Sequence, residues 1–300
     1  MPLSPLRARV RSALAALVLA APAGCETVRS TTAEPVDPTI RPDTLPRASE
    51  ASLPPGKKPP HRCGNYVFYH DFEIDPSDPL FAELEALPDQ VFGELALPPT
   101  NAIVQVFLFD TQDRYERYMR SHYPKLPPRR AYMIAEPRIG GSDELKVFTW
   151  MGDHLRTDLR HELTHALLHS VLKDVPLWLD EGLAGFFELP PNVDGVNAQH
   201  LEQLARGPFK PDLARLEKLT DVGEMQKPEY REAWAWVHMM LRESPATRQV
   251  LRDYMQVLRN TAKPGPLLPR LREVTGEPDE TLYNHLTHMP LPRQRAQSDR

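Results

Sequence analysis

The sequence predicts an α+β fold, with a small mixed β-sheet and its helices followed by a mostly α-helical lobe. Three observations predict it. Between residues 64 and 150, runs rich in β-branched and aromatic residues, such as Asn101–Phe109, alternate with helix-spaced apolar residues. After Thr157 the apolar spacing is helical almost throughout. One helix of that second half, Arg156 to Leu172, embeds His161, Glu162 and His165 among Leu159, Leu163, Ala166, Leu167, Val171 and Leu172.

In chain order, Gly64–Ile74 is rich in aromatic and β-branched residues and predicts a strand. Asp78-Pro79 is an N-cap followed by Pro at the first helical position, and apolar residues from Leu80 to Leu95 keep helical spacing, with a kink expected at Pro88. Asn101–Phe109 is the strongest strand signal, and Thr111 is placed to cap a helix over 113–121. Tyr123–Arg130 reads as a Pro-rich loop. Ala131–Ala135 and Leu145–Trp150 are short strands separated by the turn-forming Gly140-Gly141-Ser142-Asp143. Beyond the 156–172 helix, helices are expected over 177–189, 198–206, 212–219, 230–243 and 245–260, with weaker ones at 270–274 and 279–285. Trp234, Val237, Met240 and Leu241 form an apolar stripe.

The N-terminus reads as an address. Arg7, Arg9 and Arg11 precede an apolar run from Ala13 to Ala21, which has the organisation of a secretory signal peptide and is too short to span a bilayer. Two cleavage patterns coexist. Ala21-Pro22-Ala23 fits an A-x-A site, whereas Ala23-Gly24-Cys25 resembles the end of a bacterial lipobox, in which Cys25 becomes lipidated. The position three before Cys25, usually Leu in a lipobox, holds Pro22. From Glu26 to Pro60 the chain is polar and Pro-rich, which reads as a tether. The expected organisation is a signal peptide over 1–24, a lipid-anchored tether over 25–61, and a catalytic domain over 62–300, with an α/β part at 62–152 and a helical part at 153–289. The expected location is the bacterial cell envelope, outside the cytoplasm, anchored through Cys25 or else secreted.

Composition narrows the partners. The 300 residues carry a net charge of -5 and a pI near 6.1, without a long basic run, which argues against nucleic acid. Two cysteines, Cys25 and Cys63, are too few for a disulfide framework. Oligomeric state is not legible.

The chemistry concentrates in H-E-x-x-H. Residues i and i+4 of a helix lie about 40° apart, so His161 and His165 face one metal ion, while Glu162 lies about 100° round from His161. There it can take a proton from water activated by the metal. Buried ionisable groups need a compensating partner, and a metal supplies one. One Zn2+ per chain is the expected cofactor. A third ligand is needed. Leu168 and Val171 occupy the positions where the metzincin extension needs Gly and His. His169 has drifted about 80° from His161. Glu181, on a helix able to return antiparallel after Pro176, fits better, and Asp180 is its nearest competitor.

His161-Glu162-x-x-His165 with Trp178-Leu179-Asp180-Glu181-Gly182-Leu183-Ala184 resembles the gluzincin metallopeptidases. Over about residues 64–260 the layout is also similar to the DUF1570 group of bacterial peptidase-like proteins. The resemblance implies a zincin-like helical lobe, Glu181 as the third zinc ligand, Glu162 as general base, and a peptide or protein substrate. It also implies substrate pairing with the strand before the motif helix, here Glu144–Trp150. Thermolysin-like gluzincins carry an Asp four residues after the ligand Glu, and this chain has Gly185 there. Asp158, Asp180 and Glu188 are the candidates to orient the histidines instead. Tyr230 and His238 are candidates to stabilise the transition-state oxyanion. Two other readings stand beside a peptidase: a non-catalytic zinc-binding or interaction lipoprotein, and a zinc hydrolase of non-peptide substrates.

Overall fold

The structure, a computed structural model, describes residues 53–138, 141–206 and 208–289. The expected signal peptide, Cys25 and the tether up to residue 52 lie outside the described residues, as does Gly140 of the expected turn. Among the described residues no helix is long and apolar enough to cross a membrane.

The fold is α+β. A five-stranded mixed sheet has the order β1-β2-β3-β5-β4. β1 (His61–Cys63) and β2 (Tyr66–Tyr69) form a hairpin, β2, β3 (Val104–Phe109) and β5 (Glu144–Trp150) run parallel, and β4 (Tyr132–Glu136) closes the sheet antiparallel to β5. The strand expected over 64–74 shortens to β2, and a strand not expected, β1, precedes it and pairs with it, because Gly64 turns the chain at φ +55°. β5 pairs with β3 on one side and β4 on the other. That removes it as a strand for substrate to pair with. Among the described residues, the outer edge of β4 is unpaired.

Alternating side chains give the sheet two apolar faces. Phe109, Ile134 and Phe148 meet Tyr115, Tyr118 and Met119 of α3 (Gln112–His122) on one face. Val104, Val106, Met133 and Val147 join the main core on the other. There lie α1 (Pro79–Glu85), α2 (Leu87–Leu95) and α4 (Leu155–Val171). The break between α1 and α2 falls at Ala86, just before Pro88. Proline cannot donate a helical hydrogen bond, so the predicted kink resolves into two helices.

The remaining helices are α5 (Leu177–Phe187), α6 (Ala198–Arg206), α7 (Leu213–Leu216), α8 (Lys227–Arg242), α9 (Pro245–Asn260), α10 (Leu268–Thr275) and α11 (Pro278–His288). α8 begins three residues earlier than the apolar stripe predicts. Gln226 and Glu229 form a capping box, and Pro228 sits in the first turn where no helical N–H is needed. Its fully buried Trp234 and Trp236 make α8 the central post of the lobe, and α5 packs against it. The approach is close. A Cβ on Gly182 would fall 2.6 Å from the Ala233 carbonyl oxygen.

Candidate metal centre

α4 rests on β5 and β4, and α5 packs back on α4 after the turn at 172–176. This returns Glu181 to the face that carries His161 and His165. The three side chains converge. His161 Nε2 lies 3.3 Å from His165 Nε2, and Glu181 Oε2 lies 3.4 and 3.7 Å from those two nitrogens. These residues form a group able to hold a metal ion.

Their other atoms are already engaged. His161 Nδ1 is 2.9 Å from Glu188 Oε2. His165 Nδ1 is 2.9 Å from Asp180 Oδ1, a close ionic contact outside hydrogen-bond alignment. With both Nδ1 atoms facing carboxylates, each ring directs Nε2 at the common point. Glu181 Oε2 is buried and finds no hydrogen-bond partner among the described residues. A buried carboxylate oxygen left so is costly unless a cation meets it. A tetrahedral zinc with bonds of about 2.0–2.1 Å holds its ligand atoms about 3.3 Å apart. The donor set fits that metal. A second group, His165, His169 and Asp180, also has ligand atoms in mutual reach. There the Asp180 carboxylate spans both rings, Oδ2 lying 2.9 Å from His169 Nε2, so its oxygens are taken up in orienting imidazoles.

The electrostatics follow. Burial would lower the His161 imidazole, but Glu181 and Glu188 overcome it and raise it to about 10. Burial would raise Glu181, yet His161 and His165 hold it at about 2. His165 and His169 likewise hold Asp180 far below the usual carboxylate range, against burial. Protons and a cation compete for the same Nε2 and Oε2 atoms.

Glu162 is half-buried and makes no hydrogen bond among the described residues. Burial lifts its carboxyl pKa, with His161 and His165 drawing the other way. A raised, unpaired carboxylate beside the donors suits a general base.

The other predicted residues separate. Asp180 and Glu188 do face the histidines. Asp158 instead accepts from Arg130 Nη2 at 2.8 Å. Tyr230, in the first turn of α8, lies near the centre, within electrostatic reach of Glu181 and Glu162. Its hydroxyl accepts from Arg129 Nη2 at 2.8 Å, and burial together with the Glu181 carboxylate pushes it up to about 12. His238, two turns further along α8, pairs with His285 Nε2 at 2.9 Å, in a cavity of about 820 Å³ lined also by Asp194, Glu243 and Met289. None of the groups acting on it belongs to the metal centre.

Sequence reading missed two arginines. Arg160 is 1% exposed and donates to the carbonyls of Phe187 and Leu189, either side of Glu188, and to Glu83 and Gln90. Its signal was a charged residue inside an apolar helix. Arg129, in a loop read only as Pro-rich, had no such signal.

A scan against family models finds no match for this chain, and neither does a search of curated proteins. Among solved structures, an M1 zinc metallopeptidase from Deinococcus radiodurans is similar, at 19% identity and a TM-score of 0.40. The match covers 78% of this chain and 52% of that one, so this chain spans about half the length of that structure.

Proposed function

We propose that the chain is an extracytoplasmic zinc-dependent metallopeptidase, with one zinc held by His161, His165 and Glu181. The observation that carries this reading is the convergence of two Nε2 atoms and an orphaned buried carboxylate oxygen, with Glu162 unpaired beside them. Pure metal storage gives Glu162 no task.

A zinc bound there supplies Lewis-acid activation of water and of a carbonyl oxygen. The chain's residues do the rest. The Glu162 carboxylate accepts a proton from the water that attacks the scissile carbonyl, then passes it to the leaving amine nitrogen as the C–N bond breaks. The Tyr230 hydroxyl donates to the oxygen that gains negative charge. Arg129 holds that hydroxyl in place. Glu188 and Asp180 fix the imidazoles. The free edge of β4 offers backbone groups to an extended peptide, and β4 begins beside Arg129 and Arg130, next to the motif helix. The address-like N-terminus and Cys25 support an envelope location with a lipid anchor.

The test pairs two measurements on the purified mature protein: zinc stoichiometry, then cleavage of a broad peptide library by wild type and Glu162→Gln. One zinc per chain, with cleavage abolished by the substitution, is expected. Zinc-free protein overturns the metal reading. Zinc without Glu162-dependent cleavage favours a non-catalytic zinc lipoprotein or a hydrolase of other substrates.

A further inference from the structure

Two adjacent arginines, one bonded to Tyr230 and one to Asp158 of the motif helix, behave differently. Arg130 is ion-paired with Asp158. Arg129 has no carboxylate within 4.0 Å among the described residues. Its guanidinium is half-buried and makes one hydrogen bond, from Nη2 to Tyr230 Oη. A guanidinium has five N–H donors, so most of its donors stay uncommitted. Burial disfavours its charge, but Tyr230 and Glu181 outweigh that and keep it charged, and charged groups held partly buried without a contact partner concentrate at functional sites.

The backbone that carries Arg129 is built to hold still. It follows Pro127 and Pro128, whose φ angles are fixed. Two buried tyrosines pin its carbonyls: Tyr132 Oη donates to Pro127 O, and Tyr115 Oη donates to Arg129 O at 2.9 Å. Tyr230 then fixes one arm of the guanidinium fork. Through Tyr230 the guanidinium is tied to the first turn of α8, near the metal centre, where its charge acts on both Glu162 and Glu181. It pairs with neither carboxylate within 4.0 Å, so its uncommitted donors are left for an acceptor from outside the chain.

We infer that Arg129 receives a carboxylate of the peptide substrate close to the scissile bond. The planar fork matches a carboxylate bidentately, which a lysine or an amide cannot do. The inference rests on the peptidase reading and adds the substrate class: peptides with an α-carboxylate or an Asp or Glu side chain beside the cleaved bond. Arg129 is on this account a specificity residue that contacts substrate.

The test uses zinc-loaded full-length protein and a matched peptide series. One pair differs only in a free or amidated C-terminus next to the cleaved bond. A second pair has internal Glu or Gln there, with the C-terminus blocked. Wild type is expected to favour the carboxylate member of one pair by about ten- to a hundredfold in kcat/KM, the worth of a charged hydrogen bond in a desolvated site. The pair that discriminates identifies the source. In Arg129→Gln the ratio falls to near one, and Arg129→Lys gives an intermediate ratio. A wild-type ratio near one in both pairs overturns the inference while leaving the peptidase standing. So does a ratio that survives Arg129→Gln, and so does an equal loss on both members, which would make Arg129 only a support for Tyr230. If wild type cleaves none of these peptides, the peptidase reading has failed, and fluorescence anisotropy of the labelled pairs decides the inference alone. Binding selective for the carboxylate and lost in Arg129→Gln supports it, and equal binding of both members overturns it.

Discussion

His161 Nδ1 and Glu188 Oε2 lie 2.9 Å apart across the junction between α4 and the C-terminal end of α5. Glu188 follows Glu181 by seven residues, about 20° from it around the helix. On the proposed metal reading, one helix thus delivers both the third ligand and the carboxylate that orients the first. On that reading Glu188 takes the part of the acid that Gly185 cannot play. Partners of this kind typically contribute ten- to a hundredfold to metal affinity. Glu188→Gln keeps the shape but loses the charge. Its zinc affinity is expected to fall about tenfold, measured by competition with a chromophoric chelator. Unchanged affinity would show that the contact does not tune the site.

Arg160 holds that arrangement from behind. Its Nε and Nη2 each lie 2.9 Å from the carbonyls that flank Glu188, and Nη1 meets Glu83 at 3.2 Å. Arg160→Met strands two carbonyls and Gln90 Oε1, and leaves Glu83 only its pair with Arg156. The cost of breaking a buried ionic network is about 3 kcal/mol or more. The urea midpoint should drop accordingly, with an unchanged slope if unfolding stays two-state. Arg160→Lys keeps the charge but cannot span both carbonyls. It should recover part of the stability and still bind zinc more weakly than wild type.

The sequence reading reached some parts of this site and not others for physical reasons. His161, Glu162 and His165 were legible because one helix fixes their relative angles. Glu181 was legible because Pro176 ends the connector and a helix follows. Arg129 was not, since its place depends on how a Pro-rich loop folds back against α8, a contact 101 residues apart in sequence. His238 misled for the same reason: helical spacing put it on α8, but only α11 reveals that its partner is His285. The order of β4 and β5 in the sheet was also invisible. The strand nearest in sequence to the motif helix is interior, and the earlier strand holds the edge.

Two glycines of α5 make a matched test of how closely the centre is framed. At Gly182 a Cβ would meet Ala233 O at 2.6 Å and Val237 Cγ2 at 2.8 Å, so α5 and α8 must part. Overpacking of this kind costs about 1–3 kcal/mol. Since Gly182 adjoins Glu181, zinc affinity should fall with stability. At Gly185 a Cβ finds only Trp234, its Cβ at 3.8 Å and Cδ1 at 4.0 Å, ordinary contacts. There Gly185→Ala gains helix propensity, up to about 1 kcal/mol, and zinc affinity should hold. Thermal melts and chelator competition on both variants check the contrast. Equal behaviour of the two would refute the close approach.

His238 predicts how the helical lobe responds to acid. It is buried beside the rings of Phe186 and Trp234, with Arg242 and His285 facing it. Burial first, then the positive charge of His285 and Arg242, lowers its pKa to about 3. His285 is also lowered by burial, although Glu243 accepts from it and pulls the other way. In the unfolded chain a histidine titrates near 6.5. The unfolded state therefore binds a proton that the native state refuses, and stability rises with pH across that window. The contribution is fully present above about pH 6.5 and is lost as pH falls toward 3, at up to about 1.4 kcal/mol per pH unit for one group. Urea midpoints between pH 7 and pH 5 should fall steeply for wild type. His238→Phe removes the titrating group and keeps an apolar ring, so its slope should flatten by about one proton, with His285 and His200, both lowered by burial, still contributing. Superimposable slopes for the two proteins would mean that His238 takes up its proton without unfolding the lobe.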